Sequence, residues 1–229
     1  MKRIGLLGGT SWPSTIEYYK LLNEKADCHL GCGHSANITL WSIDFFKIKQ
    51  LFSDRWEEIN TIMEDEILSL NHTNPDCILI CNNTLHQSYD LIKNRLSIDV
   101  PVFHMVDLSV KKAIDLGVKK VLLLGSKFTM NNSYYPSKFI KAGIQVVTPT
   151  AKEKDRIQSI QTNLAGGKCS SLYKSEMNEI ITRYESCDAL LLACTELSMV
   201  VTPLPNTIVL DPMAIQCDEA FKFSMIETI

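Results

Sequence analysis

Two stretches of the chain share one construction: an aspartate, a run of apolar residues and then a short polar group. The first runs from Asp76 through Cys-Ile-Leu-Ile-Cys to Asn82, and the second from Asp188 through Ala-Leu-Leu-Leu-Ala to Cys194. Such uninterrupted apolar runs are typical of strands buried on both faces of a parallel sheet. Ligands of open parallel sheets bind where the strands end, so the polar residues that follow each run are the first candidates for chemistry.

Alignment of the two leading aspartates reveals an internal repeat. An offset of 112 residues, from 76 to 188, places Asn82 and not Cys81 opposite Cys194. The segments 2–9 and 119–126 match in the same way at an offset of 117 residues. Two matched segments at similar offsets predict a chain built from two related halves.

Strand-like and helix-like patterns alternate along both halves, which predicts an α/β fold. We expect two pseudo-symmetric lobes, each a parallel doubly wound sheet flanked by helices, with the active site in the cleft between the lobes. The N-terminal lobe is predicted to comprise residues 1–103 plus 207–229, and the C-terminal lobe residues 104–206. In this scheme the apolar triplet 208–210 and the helix after it pack back onto the first lobe.

The first predicted strand breaks at Gly8 and Gly9, and the spacing of Ser14 and Glu17 is that of a capping box that starts a helix. Glycines before a helix N-terminus suit a carboxylate or phosphate, because backbone N–H groups can approach the anion. The spacing is neither that of a dinucleotide fingerprint nor that of a P-loop. The alternative is that the two glycines serve only the tight turn.

Composition and charge exclude several classes of function. Of 229 residues, 26 are acidic and 23 basic, giving a net charge of −3 without a basic stripe, so nucleic acid and anionic membranes are not expected partners. No apolar run approaches the roughly 18 residues of a membrane helix, and we expect a cytoplasmic protein. The eight cysteines are scattered, as reduced thiols would be. The spacing of Cys28, Cys32 and His34 permits a zinc site, but a second pair is lacking and we expect no metal.

Two similar lobes, each with a polar group at the end of its third strand, could hold one small molecule between two reacting groups. For a stereocentre, one group can remove a proton from one face while the other returns a proton to the opposite face. This arrangement suits racemisation or epimerisation. No lysine lies in a recognisable pyridoxal setting, so we expect a reaction without a cofactor.

The chain resembles the aspartate/glutamate racemase family over nearly its whole length. The resemblance rests on an ordered set of short motifs: Gly5-Leu-Leu-Gly-Gly-Thr-Ser-Trp12 with Tyr18, Tyr19 and Asn23, then His34-Ser-Ala36, Ser42-Ile-Asp-Phe45, Asn83-Thr84 with His86, Leu124-Gly-Ser-Lys-Phe-Thr-Met130 and Cys194-Thr-Glu-Leu197. The Asp-Ser of cell-wall glutamate racemases is absent from the first loop, which favours the aspartate branch. Thr10, Pro13 and Gln216 depart from the residues common in the family.

The resemblance implies two catalytic thiols, one directly before Asn-Thr and one directly before Thr-Glu. Cys194 matches the second position, whereas Asn82 occupies the first and Cys81 lies one residue too early. Side chains alternate faces along a strand, so Cys81 is predicted to be a core thiol, with a catalytic role as the alternative. An amide cannot act as acid or base near neutral pH, so Asn82 would position a ligand or water. We therefore expect Cys194 to work one-sidedly, on the L form, with backbone amides of the turn after it lowering its pKa.

The same resemblance suggests an acidic amino acid, aspartate or glutamate, as the substrate. Polar residues after the strands are candidate ligands of its carboxylate, with local capping as the alternative: Thr10, Ser11, Asn83, Thr84 and Thr195. Lys168 is the first candidate for the distal carboxylate, ahead of Lys47, Lys49 and Arg156. His86 and Glu196 are expected to support the site from beside it, with helix capping as the alternative, and Glu196 is also counted among the candidate substrate-binding residues.

Two other functions stay open at this point. Asn82 is compatible with a binding protein that kept the carboxylate site and lost turnover. A thiol-redox role for Cys81 and Cys194 is the third possibility, although no CxxC motif supports it. Family likeness predicts a homodimer.

Overall fold

The computed structural model describes residues 1–31, 33–52, 54–165, 168 and 170–226. Strands and helices alternate throughout. The strands are β1 (Ile4–Gly8), β2 (Ile38–Ser42), β3 (Cys77–Ile80), β4 (Lys120–Gly125), β5 (Gln145–Val147), β6 (Ala189–Ala193) and β7 (Ile208–Leu210). The helices are α1 (Trp12–Leu30), α2 (Phe46–Lys49), α3 (Trp56–Asn71), α4 (His86–Ile92), α5 (Met105–Asp115), α6 (Lys127–Asn131), α7 (Tyr134–Lys141), α8 (Ala151–Ala165), α9 (Ser171–Thr182) and α10 (Pro212–Ser224), with a 3-10 helix at Thr195–Met199. None of the helices in these described ranges is both long and apolar enough to cross a membrane.

The strands form two parallel sheets, which confirms the predicted α/β class. The first sheet has the order β2-β1-β3 and the second the order β5-β4-β6-β7. The chain divides into two compact units, the first comprising Met1–Met105 and Gln216–Ile229 and the second Val106–Ile215. Each unit holds one of the sheets.

The strand registers of the two sheets repeat each other. In the first sheet Ile4 pairs with Cys77, and in the second Val121 pairs with Ala189. Adding the sequence offsets of 117 and 112 residues to Ile4 and Cys77 gives those two partners. The same equivalence makes position 82, two residues beyond Ile80, the counterpart of position 194.

Helices cover both faces of the second sheet. Successive residues of a strand point to opposite faces, and two separate apolar clusters include alternate residues of β4 and β6. One cluster contains Leu122, Leu124, Leu190 and Leu192 with residues of α8 and α9. The other contains Val121, Leu123, Ala189 and Leu191 with residues of α5 and α7. In the first sheet, Leu7, Ile78 and Ile80 pack against α3.

The prediction that residues 208–210 return to the first lobe is wrong. They form β7, which pairs with β6 in the second sheet, and the backbone N–H of Ile208 donates a hydrogen bond to the carbonyl of Asp188. Pairing there satisfies backbone groups that β6 would otherwise leave open. Only the later part of α10 belongs to the first unit, where the carbonyl of Ser224 accepts a hydrogen bond from the N–H of Lys2 at 2.7 Å.

Three local elements also differ from the prediction. Helix α1 begins at Trp12 with Ser11 as its N-cap, three residues before Ser14. Pro13 is compatible with this earlier start, because the N–H groups of the first helical turn have no partner within the helix and proline has no N–H to leave unpaired. The apolar residues 100–103 predict a short strand, which the structure reduces to one parallel bridge between Val102 and Ile78. Helix α5 was not predicted.

Candidate active site

Cys194 follows β6 directly and forms the N-cap of the 3-10 helix. Its backbone is extended, with φ −152° and ψ 123°, and its side chain is half-buried. The buried strand thus delivers the thiol to the carboxyl end of the sheet, where the sequence predicted it. Three of the predicted site residues, Cys194, Thr195 and Glu196, lie together here.

The carboxylate of Glu196 accepts two hydrogen bonds on one oxygen. The Cys194 thiol donates to Oε2 with Sγ at 2.8 Å, and the Thr195 hydroxyl donates to the same Oε2 at 3.2 Å. Glu196 is half-buried, like its two neighbours.

Gln161 of α8 also lies close enough to Cys194 to lower the pKa of its thiol. Its own side chain is oriented by Gln158, whose Nε2 donates to Oε1 of Gln161 at 2.8 Å. Sequence reasoning missed Gln161. Polar residues are expected on an amphipathic helix, so nothing in the local pattern distinguished it from a solvent-facing residue.

The pKa of the Cys194 thiol is well above its ordinary value, contrary to the expectation that turn amides would lower it. Burial is the largest cause, and the neighbouring Glu196 carboxylate adds to it by charge repulsion and by accepting the thiol proton in a hydrogen bond. Hydrogen bonds from the backbone of Glu196 and from Gln161 act in the opposite direction but are outweighed. Cys194 therefore rests as a thiol in the ligand-free protein.

Cys81 lies in the interior of the first unit. It is 2% exposed, and its backbone N–H donates to the carbonyl of Leu7, in line with the β1–β3 ladder. Burial raises the pKa of its thiol well above the ordinary value, with a further contribution from Cys217. The Thr10 hydroxyl, which is also buried, donates to the Cys81 carbonyl at 3.5 Å.

Asn82 and Ser11 both have local capping roles. The Asn82 side-chain oxygen accepts a hydrogen bond from the N–H of Leu85 at 3.0 Å, before α4. The Ser11 hydroxyl accepts from the N–H of Ser14 at 3.4 Å, at the start of α1. Asn83 and Thr84 follow Asn82 in the same turn and are half-buried. Thr10, Ser11 and residues 81–84 thus form a second set of polar groups, at the carboxyl ends of β1 and β3.

The glycine loop after β1 is shaped by contacts with the chain itself. Gly9 has φ +88°, and a Cβ there would lie 2.1 Å from the carbonyl oxygen of Ile43. Its N–H donates to the Thr15 hydroxyl at 3.0 Å. These contacts favour the interpretation that Gly9 serves the tight turn, since its N–H is already used within the protein.

The candidate cations differ in their surroundings. Lys168 is exposed just after α8, and its backbone N–H donates to the carbonyl of Asn163; its neighbours Gly166, Gly167 and Cys169 lie outside the described residues. Arg156 is held by both oxygens of Glu176 and lies over the Tyr173 ring at 5.9 Å. Lys47 and Lys49 are exposed. Arg156 therefore serves the packing of α8 against α9, which weakens its candidacy.

The remaining candidates are either buried in the protein interior or exposed on the surface. Gln216 is fully buried, where it accepts from the Tyr18 hydroxyl at 2.8 Å and donates to the Phe103 carbonyl at 2.6 Å. His86 is fully buried with its ring 4.5 Å from that of His104. Of the hypothetical zinc ligands, Cys28 and His34 are exposed and Cys32 lies outside the described residues.

Comparison with known proteins gives one consistent family. Residues 7–220 match the sequence model of the Asp/Glu/Hydantoin racemase family. A protein from Yersinia pestis assigned as an Asp/Glu racemase is 30% identical, with a TM-score of 0.88 and coverage of 99% of this chain and 100% of that chain. An aspartate racemase homologue from Pyrococcus horikoshii OT3 is 27% identical, with a TM-score of 0.86 and the same coverage.

Solved structures at lower identity share the fold. The aspartate racemase of Picrophilus torridus is 22% identical, with a TM-score of 0.75 and coverage of 97% of this chain and 95% of that chain. The family match spans nearly the whole length, and the order of motifs seen in the sequence agrees with it. This chain is a member of the Asp/Glu/Hydantoin racemase family.

Proposed function

We propose that this protein exchanges the α-proton of L-aspartate or L-glutamate without a cofactor, with Cys194 as the acid/base group. The observation that carries the proposal is the difference between the two equivalent strand ends. Position 194 holds a thiol and position 82, its counterpart in the repeated register, holds an amide. One face of the substrate is thus served by a group that can carry a proton, and the other is not.

The proton balance of the proposed reaction is simple. The Cys194 thiolate takes the α-proton of the bound L-amino acid, giving a thiol and a carbanion stabilised by the adjacent carboxylate. The thiol then returns a proton to the same face, restoring the L form. Exchange of the thiol proton with solvent between these steps introduces a solvent proton at Cα. Protonation from the opposite face would need a donor, and it is slow because Asn82 is a poor acid.

Recognition of an acidic amino acid is assigned to the polar groups at the strand ends. Thr10, Ser11, Asn83, Thr84 and Thr195 are proposed donors to the α-carboxylate. The Thr10 and Thr195 hydroxyls each have one donor hydrogen, so they would exchange their local bonds to the Cys81 carbonyl and to Glu196 for bonds to the ligand. Lys168 is proposed to hold the distal carboxylate, supported by its exposed position and by the engagement of Arg156 with Glu176.

Cys81 is proposed to be a core thiol rather than a second base. Burial raises the pKa of both Cys81 and Cys194, so the difference lies in access: Cys81 is only 2% exposed, whereas Cys194 is half-buried and can contact a ligand. We also propose a cytoplasmic homodimer. The cysteines within the described ranges are free thiols, as expected in a reducing compartment.

The experiment that tests the proposed function is proton exchange in D2O. The full-length protein is incubated with L-aspartate, L-glutamate and their D enantiomers, and deuterium at Cα is followed by NMR together with the appearance of the opposite enantiomer. We expect deuterium incorporation into the L form faster than net formation of the D form. Comparable rates from both enantiomers would contradict the one-sided mechanism. Absence of exchange with every acidic amino acid would favour the binding-protein alternative.

A further inference from the structure

Glu196 differs from several carboxylates of α8 and α9 in the second unit. Three of these form ion pairs: Asp155 with Lys127, Glu176 with Arg156 and Glu153 with Arg183. Glu196 is half-buried, yet among the residues that the structure describes no Lys, Arg or His side chain forms an ion pair with it. A partly desolvated carboxylate without a cation is an unfavourable arrangement that a bound cation would relieve.

The hydrogen bonds of Glu196 leave one side of the carboxylate open. The Cys194 thiol and the Thr195 hydroxyl both donate to Oε2, and no described residue donates to Oε1. A carboxylate oxygen can accept more than one hydrogen bond. Glu196 therefore presents acceptor capacity directly beside the thiol that the proposed function uses.

We propose that Glu196 binds the α-ammonium group of the substrate and thereby places Cα at the Cys194 sulfur. The proposal rests on the proposed function and assigns to Glu196 the recognition of an amino acid over other dicarboxylic acids. An ammonium group offers three donors and a full positive charge, which complements both the open oxygen and the missing counter-ion. Because the nitrogen and Cα are separated by a single bond of about 1.46 Å, a group that holds the nitrogen beside Sγ also holds the α-proton there.

The same contact explains how a resting thiol becomes a base. In the ligand-free protein the Glu196 carboxylate disfavours a second negative charge on Cys194. A bound ammonium offsets that charge, so loss of the thiol proton becomes easier when the substrate is in place. The thiol is then protected from reaction while the site is empty. A ligand with a hydroxyl instead of an ammonium group would bind without this activation.

The test compares ligands that differ only at this position. Cys194→Ala is used as the parent to prevent turnover, and calorimetry measures its binding of L-aspartate and L-malate, and of L-glutamate and L-2-hydroxyglutarate. Adding Glu196→Gln is expected to weaken binding of the amino acid by about 10- to 100-fold, as for loss of a charged hydrogen bond. The hydroxy acid is expected to change by less than about threefold. Glu179→Gln, an exposed glutamate of α9, is the matched control and is expected to change neither.

Each result decides the assignment. Selective loss of amino-acid binding supports it. Equal weakening of the amino acid and the hydroxy acid would show that Glu196 only maintains the local structure, and unchanged binding of both would show that the ammonium is bound elsewhere. If the wild-type protein exchanges the α-proton and either of these two results is found, the assignment of Glu196 fails while the proposed function stands. If the wild-type protein neither exchanges nor binds any acidic amino acid, the proposed function fails instead.

Discussion

The side-chain oxygen Oδ1 of Asn82 accepts a hydrogen bond from the backbone N–H of Leu85 at 3.0 Å. This bond satisfies a backbone donor just before α4, a role that a thiol performs poorly. The residue that stands where the repeat would place a second thiol is thus used for local structure. Replacement of Asn82 by cysteine should therefore have two separable effects, one on stability and one on catalysis.

We expect Asn82→Cys to raise turnover of the D enantiomer by at least about tenfold. This is less than the roughly 100-fold or more that a well-positioned general acid/base group contributes. The substitution should also lower the free energy of unfolding by about 1 kcal/mol, because the cap is lost. Enantiomer-resolved exchange in D2O and urea denaturation measure the two effects. Asn82→Ala, which loses the cap without gaining a thiol, is the control and should show only the second. An equal gain in turnover for Asn82→Ala would argue against a proton-transfer role at this position.

The two thiols are expected to respond differently to replacement by serine. Cys194→Ser should reduce the exchange rate by at least about 100-fold, since the proposed acid/base group is lost. Cys81→Ser should retain most of the activity, at a cost of about 1–3 kcal/mol in stability for burying a hydroxyl at a 2% exposed position. Circular dichroism checks that both variants are folded. Loss of activity in a folded Cys81→Ser protein would make Cys81 the second catalytic thiol.

Removal of the Glu196 charge should make Cys194 more reactive toward an alkylating agent. The carboxylate is one of the causes that raise the pKa of the thiol, so Glu196→Gln lowers that pKa and moves the midpoint of the pH–alkylation curve to lower pH. Iodoacetamide labelling of the ligand-free protein, resolved by peptide mass spectrometry, follows Cys194 separately from the other cysteines. Glu179→Gln should leave the midpoint unchanged. A midpoint that moves upward in Glu196→Gln would show that the carboxylate does not act on the thiol by charge.

Lys168→Ala should raise the KM for the acidic amino acid by about tenfold or more while changing the free energy of unfolding by less than about 0.5 kcal/mol. The first effect follows from loss of a charged contact to the distal carboxylate, and the second from the exposure of the side chain. Arg156→Ala is the informative comparison, because it breaks the contact with Glu176 and should lower stability more than substrate binding. If only Arg156→Ala raises KM, the distal carboxylate is bound by the arginine.

Most of the fold could be predicted from the sequence, because its strands have a pattern that is easily recognised. Buried parallel strands are continuous apolar runs, and β6 was predicted with its observed bounds at Ala189–Ala193. The apolar triplet 208–210 was assigned to the wrong lobe. Three apolar residues carry no information on which neighbour they pair with, and the partner is determined by the open edge of β6.

At the candidate site, the sequence located Cys194 but not its electrostatic environment. The expectation of a lowered pKa considered only the amides of the turn, whereas burial and Glu196 determine the direction. Gln161 was missed for a related reason. It is distant in sequence and acts on the thiol only because α8 packs against the same apolar cluster as Cys194 and the leucines of β6.

Glu153, remote from the candidate site in sequence, is predicted to make stability depend on pH. It is buried at the start of α8, and burial alone would raise its pKa. Hydrogen bonds from Tyr184, Thr150 and Arg183 outweigh that effect and lower the pKa to about 2. The distances are 2.5 Å from the Tyr184 hydroxyl, 2.7 Å from the Thr150 hydroxyl and 2.8 Å from Nη1 of Arg183.

Because the pKa of Glu153 is lower in the folded protein than in the unfolded chain, its contribution to stability is present above the unfolded pKa of about 4.3. The contribution is lost as pH falls from about 5 toward 2. We expect Glu153→Gln to lower the free energy of unfolding by about 2–3 kcal/mol at pH 7, and by progressively less across that window. Urea denaturation of wild type and variant between pH 7 and pH 3 measures the difference, with Glu179→Gln as the control for removal of an exposed charge. A difference that is constant over this range would mean that Glu153 acts through packing and not through its ionised form.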